Sequence, residues 1–225
     1  MKRVTFIRHG RSLANEWLSG ESSWGSPNFT DPPHLKDSKL NEVGRMQAAR
    51  ELSLNLKSVS ADIVFVSPLT RTLETLRLSC DGTDNLPVKK FALPLLAERL
   101  YMIADVGTSK STLESLYSPF VDFGLVTEEE WWWNEDRLEE TYVEWRPSGE
   151  NQQYSVKGET PSAFKQRMLD LYTFLSSRPE EHVVCVTSWG IIRALTKLDA
   201  ENCQVVESRI DDIKRSLEEW EDDEY

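Results

Sequence analysis

The sequence predicts an α/β fold, a mostly parallel central sheet flanked by helices on both faces, with one helical and loop insertion. Three observations carry the prediction. Short runs rich in β-branched residues, Val4 to Ile7, Asp62 to Val66 and His182 to Thr187, read as buried strands. Helical spacing follows or precedes each of them. The strands also end on groups suited to chemistry (Arg8-His9-Gly10, Ser67-Pro68 and Ser188), and in sheets of this kind such ends gather at one carboxyl edge.

In chain order, Val4 to Ile7 delivers charged residues into a loop, and Leu18 to Lys39, rich in Ser, Pro, Gly and Asn, reads as a long loop. Apolar Val43, Met46, Ala49 and Leu52 mark a helix from Asn41 to Leu56. Ser67-Pro68 stops the second strand, and helical spacing resumes over Thr70 to Leu78. Val88 to Leu96 offers a further strand or extended segment. Pro161 to Leu175 reads as a helix, capped by Thr160 with Pro161 at its first position, and Ile191 to Leu198 as another. Val205 to Trp220 is expected to be an acidic amphipathic helix, with Val206, Ile210, Ile213 and Leu217 on one face.

The middle, 108–158, breaks the alternation. Dense in Trp, Glu, Ser and Pro, it is read as an insertion covering one end of the sheet, and Trp131-Trp132-Trp133 as packing, since such rings bring large apolar area to a lid. With 225 residues and 39% hydrophobic content, the chain is expected to form one domain over 1–225, ending in the acidic helix and tail of 205–225.

A formal charge of -12 argues against nucleic-acid and anionic-membrane partners, which select basic surfaces. Much of the acid is segregated into Glu128 to Glu130 and the run from Glu218 to Glu224, so a small basic pocket is compatible with it. Cys80, Cys185 and Cys203 fit neither a disulfide framework nor a metal-ligand pattern and are expected to be reduced thiols. No run approaches the apolar length of a membrane span, and Met1-Lys2-Arg3 leads straight into a strand without a signal-like core, so a cytoplasmic location is expected.

Arg8-His9-Gly10 sets a neutral-capable nucleophilic imidazole beside a guanidinium that can donate to phosphoryl oxygens. Arg71, in Ser67-Pro68-Leu69-Thr70-Arg71-Thr72-Leu73-Glu74-Thr75, combines a fixed charge with a helix N-terminus, a ready anion site. Together with Ser12, Asn15 and the segment Leu40-Asn41-Glu42-Val43-Gly44-Arg45-Met46-Gln47-Ala48, these stretches resemble, in order and spacing, the histidine phosphatase (phosphoglycerate-mutase-like) superfamily. The resemblance implies that His9 accepts a phosphoryl group and that Arg8, Ser12, Asn15 and Arg71 bind phosphate. It further implies that Glu98, where the chain leaves the segment begun at Val88, protonates the leaving oxygen; the competing reading of Glu98 is a surface carboxylate paired with Arg99. Gly158-Glu159-Thr160-Pro161 is similar to the family as well, but helix capping accounts for it and no catalytic role is assigned.

One position departs from the family. Its members end the last strand with a histidine, and alignment on Gly190-Ile191-Ile192-Arg193 puts Ser188 in that place. His182 cannot substitute, because six residues of strand move a side chain by about 20 Å. His34 lies in the early loop, where it would have to fold back. Losing one preorganised donor to the phosphoryl group costs about 10² to 10³ in rate. The expected function is therefore a metal-independent, cofactor-free phosphohydrolase attenuated by Ser188, acting on a phosphorylated small molecule or phosphoprotein. The alternatives are a silent phosphate-binding protein and, third, a phosphoglycerate mutase.

Overall fold

The strands form because their residues are buried on both faces. In the computed structural model, which describes residues 2–20, 29–81, 86–132 and 158–220, β1 (Arg3–Arg8), β2 (Ile63–Val66) and β4 (His182–Thr187) are central and almost wholly buried. The sheet order is β3-β2-β4-β1-β5, with β3 at Lys90–Ala92 and β5 at Val205–Arg209. The pairs β1–β4, β2–β4 and β2–β3 are parallel, and β5 alone runs antiparallel, against β1.

Period-two alternation sorts the side chains into two cores. Ile7, Val64, Val66, Val184 and Val186 face one layer, built by α2 (Glu42–Met46), the π-helical turn Gln47–Leu52 that continues it, α3 (Ser53–Leu56) and α4 (Thr70–Cys80). Val4, Phe6, Ile63, Phe65, Val183 and Cys185 face the other, built by α6 (Pro161–Ser177), α7 (Trp189–Thr196) and α8 (Ile210–Glu218). Helices on both faces of a mostly parallel sheet are thus as the sequence predicts.

Three elements differ from expectation. The segment expected to be one helix from Val205 to Trp220 begins as β5: Val205 and Val206 pair with Ile7 and Phe6, and Val206 enters the second core before the helix starts at Ile210. Val88 to Leu96 shortens to β3 and a 3-10 turn at Pro94–Leu96, where proline, lacking an N–H, ends the ladder. The loop region contains a short α1 (Leu13–Leu18) and a 3-10 turn, Pro33–Leu35.

Within the stretch 108–132, α5 (Lys110–Tyr117) and the following turn pack Leu113, Tyr117, Val121, Phe123, Val126 and Trp131 into the first core. Trp132 stacks edge-on to Trp131 at 5.5 Å. Trp133, the rest of the insertion to 157, residues 21–28 of the early loop and the tail from 221 lie outside the described residues. Cys80, Cys185 and Cys203 are all buried, and Cys185 and Cys203 are free thiols. Among the described residues, no helix is long and apolar enough to cross a membrane.

Candidate active site

The register of β1 and β4 pairs Arg8 with Thr187, so the next residue of each strand, His9 and Ser188, emerges at the same edge. The His9 N–H donates to Thr187 O at 3.0 Å. On the other flank of β4, the Ser67 N–H donates to Val186 O at 2.9 Å, after which α4 begins with Arg71 in its first turn. Glu98 reaches the same edge from beyond β3.

His9 is 3% exposed, and its Nδ1 lies 2.7 Å from Gly10 O. A carbonyl only accepts, so Nδ1 carries the ring proton and Nε2 keeps its lone pair. Burial, then the charges of Arg71 and Arg8, push the imidazole well below its ordinary 6.5. His9 is therefore a neutral imidazole at pH 7, in the field of two cations.

The loop carrying His9 is fixed by backbone. The Gly10 N–H donates to Thr75 Oγ1 (2.9 Å), which itself donates to Arg71 O at 2.7 Å. A Cβ on Gly10 would sit 2.6 Å from Gly44 O, and one on Gly44 would sit 2.6 Å from Arg11 N. The glycine of the Leu40 to Ala48 segment is thus needed for α2 to approach the loop that carries His9. The Cys203 N–H donates to Arg8 O and His9 O, and Asn202 Nδ2 donates to His9 O at 2.9 Å.

Arg8 donates from Nη1 to Ala200 O at 2.6 Å, while its Nε is buried without a hydrogen-bond partner. Arg71 donates to Ala104 O (2.7 Å) and Asp105 Oδ1 (2.9 Å) in a buried pair. Burial raises Asp105 to about 6 against the pull of Arg71. This carboxyl also accepts from the Tyr101 and Met102 N–H groups, and so anchors the guanidinium.

Ser12 and Asn15 form a reciprocal cap on α1: Ser12 Oγ accepts from the Asn15 N–H, and Asn15 Oδ1 from the Ser12 N–H. Asn15 Oδ1 also accepts from Asn202 Nδ2 at 3.4 Å. The donors left to these two side chains are the Asn15 amide NH2 and the Ser12 hydroxyl.

Glu98 is half-buried, and its carboxyl straddles two backbone donors, Arg99 N–H on Oε1 (2.8 Å) and Gly190 N–H on Oε2 (3.0 Å). The pairing with the Arg99 guanidinium that a surface role would give is not formed; that group turns to Glu159 O and the Tyr101 hydroxyl. Ser188, the N-cap of α7, is 0% exposed, makes no capping bond, and its Oγ has no hydrogen-bond partner. His34 is exposed on its 3-10 turn, and His182 sits at the far end of β4, bonded to Thr5 Oγ1 at 2.8 Å. Neither supplies a second imidazole beside His9.

Sequence reasoning missed Asp105, Thr75, Ala200 and Asn202. Ala200 acts through a carbonyl, which no side-chain pattern announces, and Asp105 and Asn202 lie in irregular connections without periodicity. Among the described residues, no group of three or more His, Cys, Asp and Glu could hold a metal ion.

This geometry has relatives among solved structures. The alpha-ribazole phosphatase of Shigella flexneri superposes with a TM-score of 0.55 at 21% identity, covering 91% of this chain and 89% of that one. The mycobacterial glucosyl-3-phosphoglycerate phosphatase gives 0.52 at 17% identity, covering 92% and 89%. At these identities the likeness is one of fold. No curated protein sequence matches the chain. The family model described as histidine phosphatase superfamily (branch 1) matches residues 4–122, over half of the chain and the stretch that holds His9, Arg71 and Glu98, and the protein belongs to that superfamily.

Proposed function

We propose that the protein is a metal-independent phosphomonoester hydrolase that works through a phosphohistidine at His9 and is attenuated by Ser188. The observation that carries this reading is His9 itself: neutral, buried, with Nδ1 locked on Gly10 O, so that Nε2 keeps its lone pair within the field of Arg71 and Arg8. In the first step Nε2 forms a bond to phosphorus while the ester P–O bond breaks, and Glu98 in its acid form gives its proton to the departing oxygen. In the second, water attacks phosphorus, the P–N bond breaks, and the Glu98 carboxylate takes the water's proton. Arg8 and Arg71 offset charge on the equatorial oxygens throughout, with the Asn15 amide as a further donor. Ser188 supplies at most one neutral hydrogen bond where an imidazolium would supply a charge-assisted one.

The substrate is a phosphorylated small molecule or phosphoprotein met in the cytoplasm, without nucleic-acid or membrane partners. Phosphatases among the fold's relatives support phosphomonoesters as the class. The test is a single turnover with a ³²P-labelled aryl phosphate, quenched in alkali to preserve phosphohistidine. Label on the protein that His9→Ala abolishes, with phosphate release following, is expected. Tight phosphate binding with neither label nor release would instead favour a silent binding protein, a reading to which the uncharged, unpartnered Ser188 lends weight.

A further inference from the structure

The segment that carries Glu98 follows directly on the 3-10 turn Pro94–Leu96, and the carbonyls of turn and segment are held by distant elements. Arg167, on α6, donates from Nη1 to both Leu95 O (3.0 Å) and Ala97 O (2.7 Å). Thr187 Oγ1, at the end of β4, donates to Leu96 O at 2.6 Å. The Glu159 N–H donates to Leu100 O at 2.9 Å, and Glu159 O accepts from Arg99 Nε at 2.9 Å. The Glu159 carboxylate in turn receives Arg167 Nε (2.8 Å) and Nη2 (2.6 Å) in a bidentate pair, both groups being buried. Four N–H bonds of one guanidinium are thus divided between one carboxylate and two carbonyls, an arrangement that a lysine cannot reproduce.

A buried ion pair of this kind is a poor device for stability alone, because apolar residues of the same volume generally serve as well. What apolar residues cannot do is bridge the carbonyls of residues 95 and 97. We propose that Arg167, oriented by Glu159, is a positioning residue for Glu98: it moulds the 95–97 backbone so that the Glu98 carboxyl rests on the Gly190 N–H beside His9 and Ser188. This rests on Glu98 being the proton donor, as argued above. Neither Arg167 nor Glu159 touches the reacting atoms. Their effect passes through the backbone, and a misplacement of about 1 Å at the donor is enough to cost about 10² in rate.

The test compares Arg167→Lys with the parent on p-nitrophenyl phosphate, whose leaving group needs little help from an acid, and on a simple alkyl phosphate, which needs much. The expected result is a loss of about 10- to 100-fold on the alkyl ester and less than about threefold on the aryl ester, with no further loss when Glu98→Gln is added. Equal losses on both esters, or losses that multiply with Glu98→Gln, would overturn the proposal. A second readout is independent of turnover. Hydrogen exchange at the Gly190 amide, followed by NMR, should accelerate in Arg167→Lys toward the rate seen in Glu98→Ala. Unchanged protection there, in protein with native circular dichroism, also overturns it. If the parent hydrolyses neither ester, the phosphatase reading fails, and the amide still decides whether Arg167 places Glu98. Should Arg167→Lys not fold, Glu159→Gln, which keeps the shape but weakens the fork, takes its place in both measurements.

Discussion

Gly190→Ala separates position from stability at Glu98, the proposed proton donor. A Cβ at residue 190 would lie inside van der Waals contact of Glu98 Oε1, 3.1 Å from Cδ and 3.3 Å from Oε2. Oε1 must retreat by roughly 1 Å to reach ordinary separation, and because Oε2 moves with it on the same carboxyl, the 3.0 Å bond from the Gly190 N–H to Oε2 is disrupted together with that from the Arg99 N–H to Oε1. The displaced atoms form the far end of a flexible side chain, so the backbone need not move. Residue 190 is the second residue of α7, and alanine in place of glycine favours a helix by up to about 1 kcal/mol. The expected outcome is a melting temperature at or slightly above that of the parent. Hydrolysis of an alkyl phosphate, measured by phosphate release, should meanwhile fall about 10²-fold, with a much smaller change on an aryl phosphate. Full activity on the alkyl ester would show that Glu98 need not rest on α7 and would refute this placement of the proton donor. A drop of more than about 10 °C in melting temperature would refute the steric reasoning.

Three further outcomes are expected. Ser188→His should raise turnover of an aryl phosphate at least about tenfold, with His9→Ala abolishing it in the same background; slower turnover would show that Ser188 belongs to a different working arrangement. Activity should survive EDTA, because Arg8 and Arg71 supply the positive charge; loss on chelation that Mg²⁺ restores would reject the mechanism. His9 is held below its ordinary 6.5, so the unfolded chain binds a proton that the folded chain refuses; stability is then unaffected above that pH and falls as pH drops through it. Urea unfolding at pH 5 and 7.5 should show His9→Asn reducing the slope by up to about 1.4 kcal/mol per pH unit, and an unchanged slope would mean that His9 titrates normally.

What could be read in the sequence follows from where burial leaves a pattern. β1, β2 and β4 are covered on both faces, which demands unbroken apolar runs, and those runs are plain at Val4, Ile63 and Val183. β5 lies on the edge, has only Val205 and Val206 as apolar members, and flows directly into α8, so its signal merges with a helical one. The same distinction governs the site. His9 stands at the end of buried β1 and Arg71 in the first turn of the helix that follows buried β2, so the sheet fixes where both begin. Asp105, Ala200 and Asn202 reach the site through irregular loops, by contacts set in three dimensions alone. The sequence around Glu159 is accounted for locally by a helix cap, which Thr160 does form, and that local sufficiency conceals the Glu159 carboxylate on Arg167.

Ser188 stands out because everything around it is determined independently of its own side chain. β4 fixes its height in the sheet by pairing with β1 and β2, the Thr187 carbonyl holds the His9 N–H, and Gly190 is required by the approach of Glu98. None of these contacts uses the side chain of residue 188, whose hydroxyl is buried without a partner and contributes no capping bond to α7. A buried, unsatisfied hydroxyl costs on the order of 1 to 3 kcal/mol, so the fold gains nothing from it that alanine would not give. A partner from outside the chain would satisfy it: a water or, under the proposed function, a phosphoryl oxygen bound by Arg8 and Arg71. Selection for binding would retain such a hydroxyl, whereas selection for rapid transfer would favour a cation. Under the proposed function, exchanging residue 188 is expected to change how fast the site transfers a phosphoryl group, whereas exchanging Arg8, Arg71 or His9 is expected to change whether it holds one.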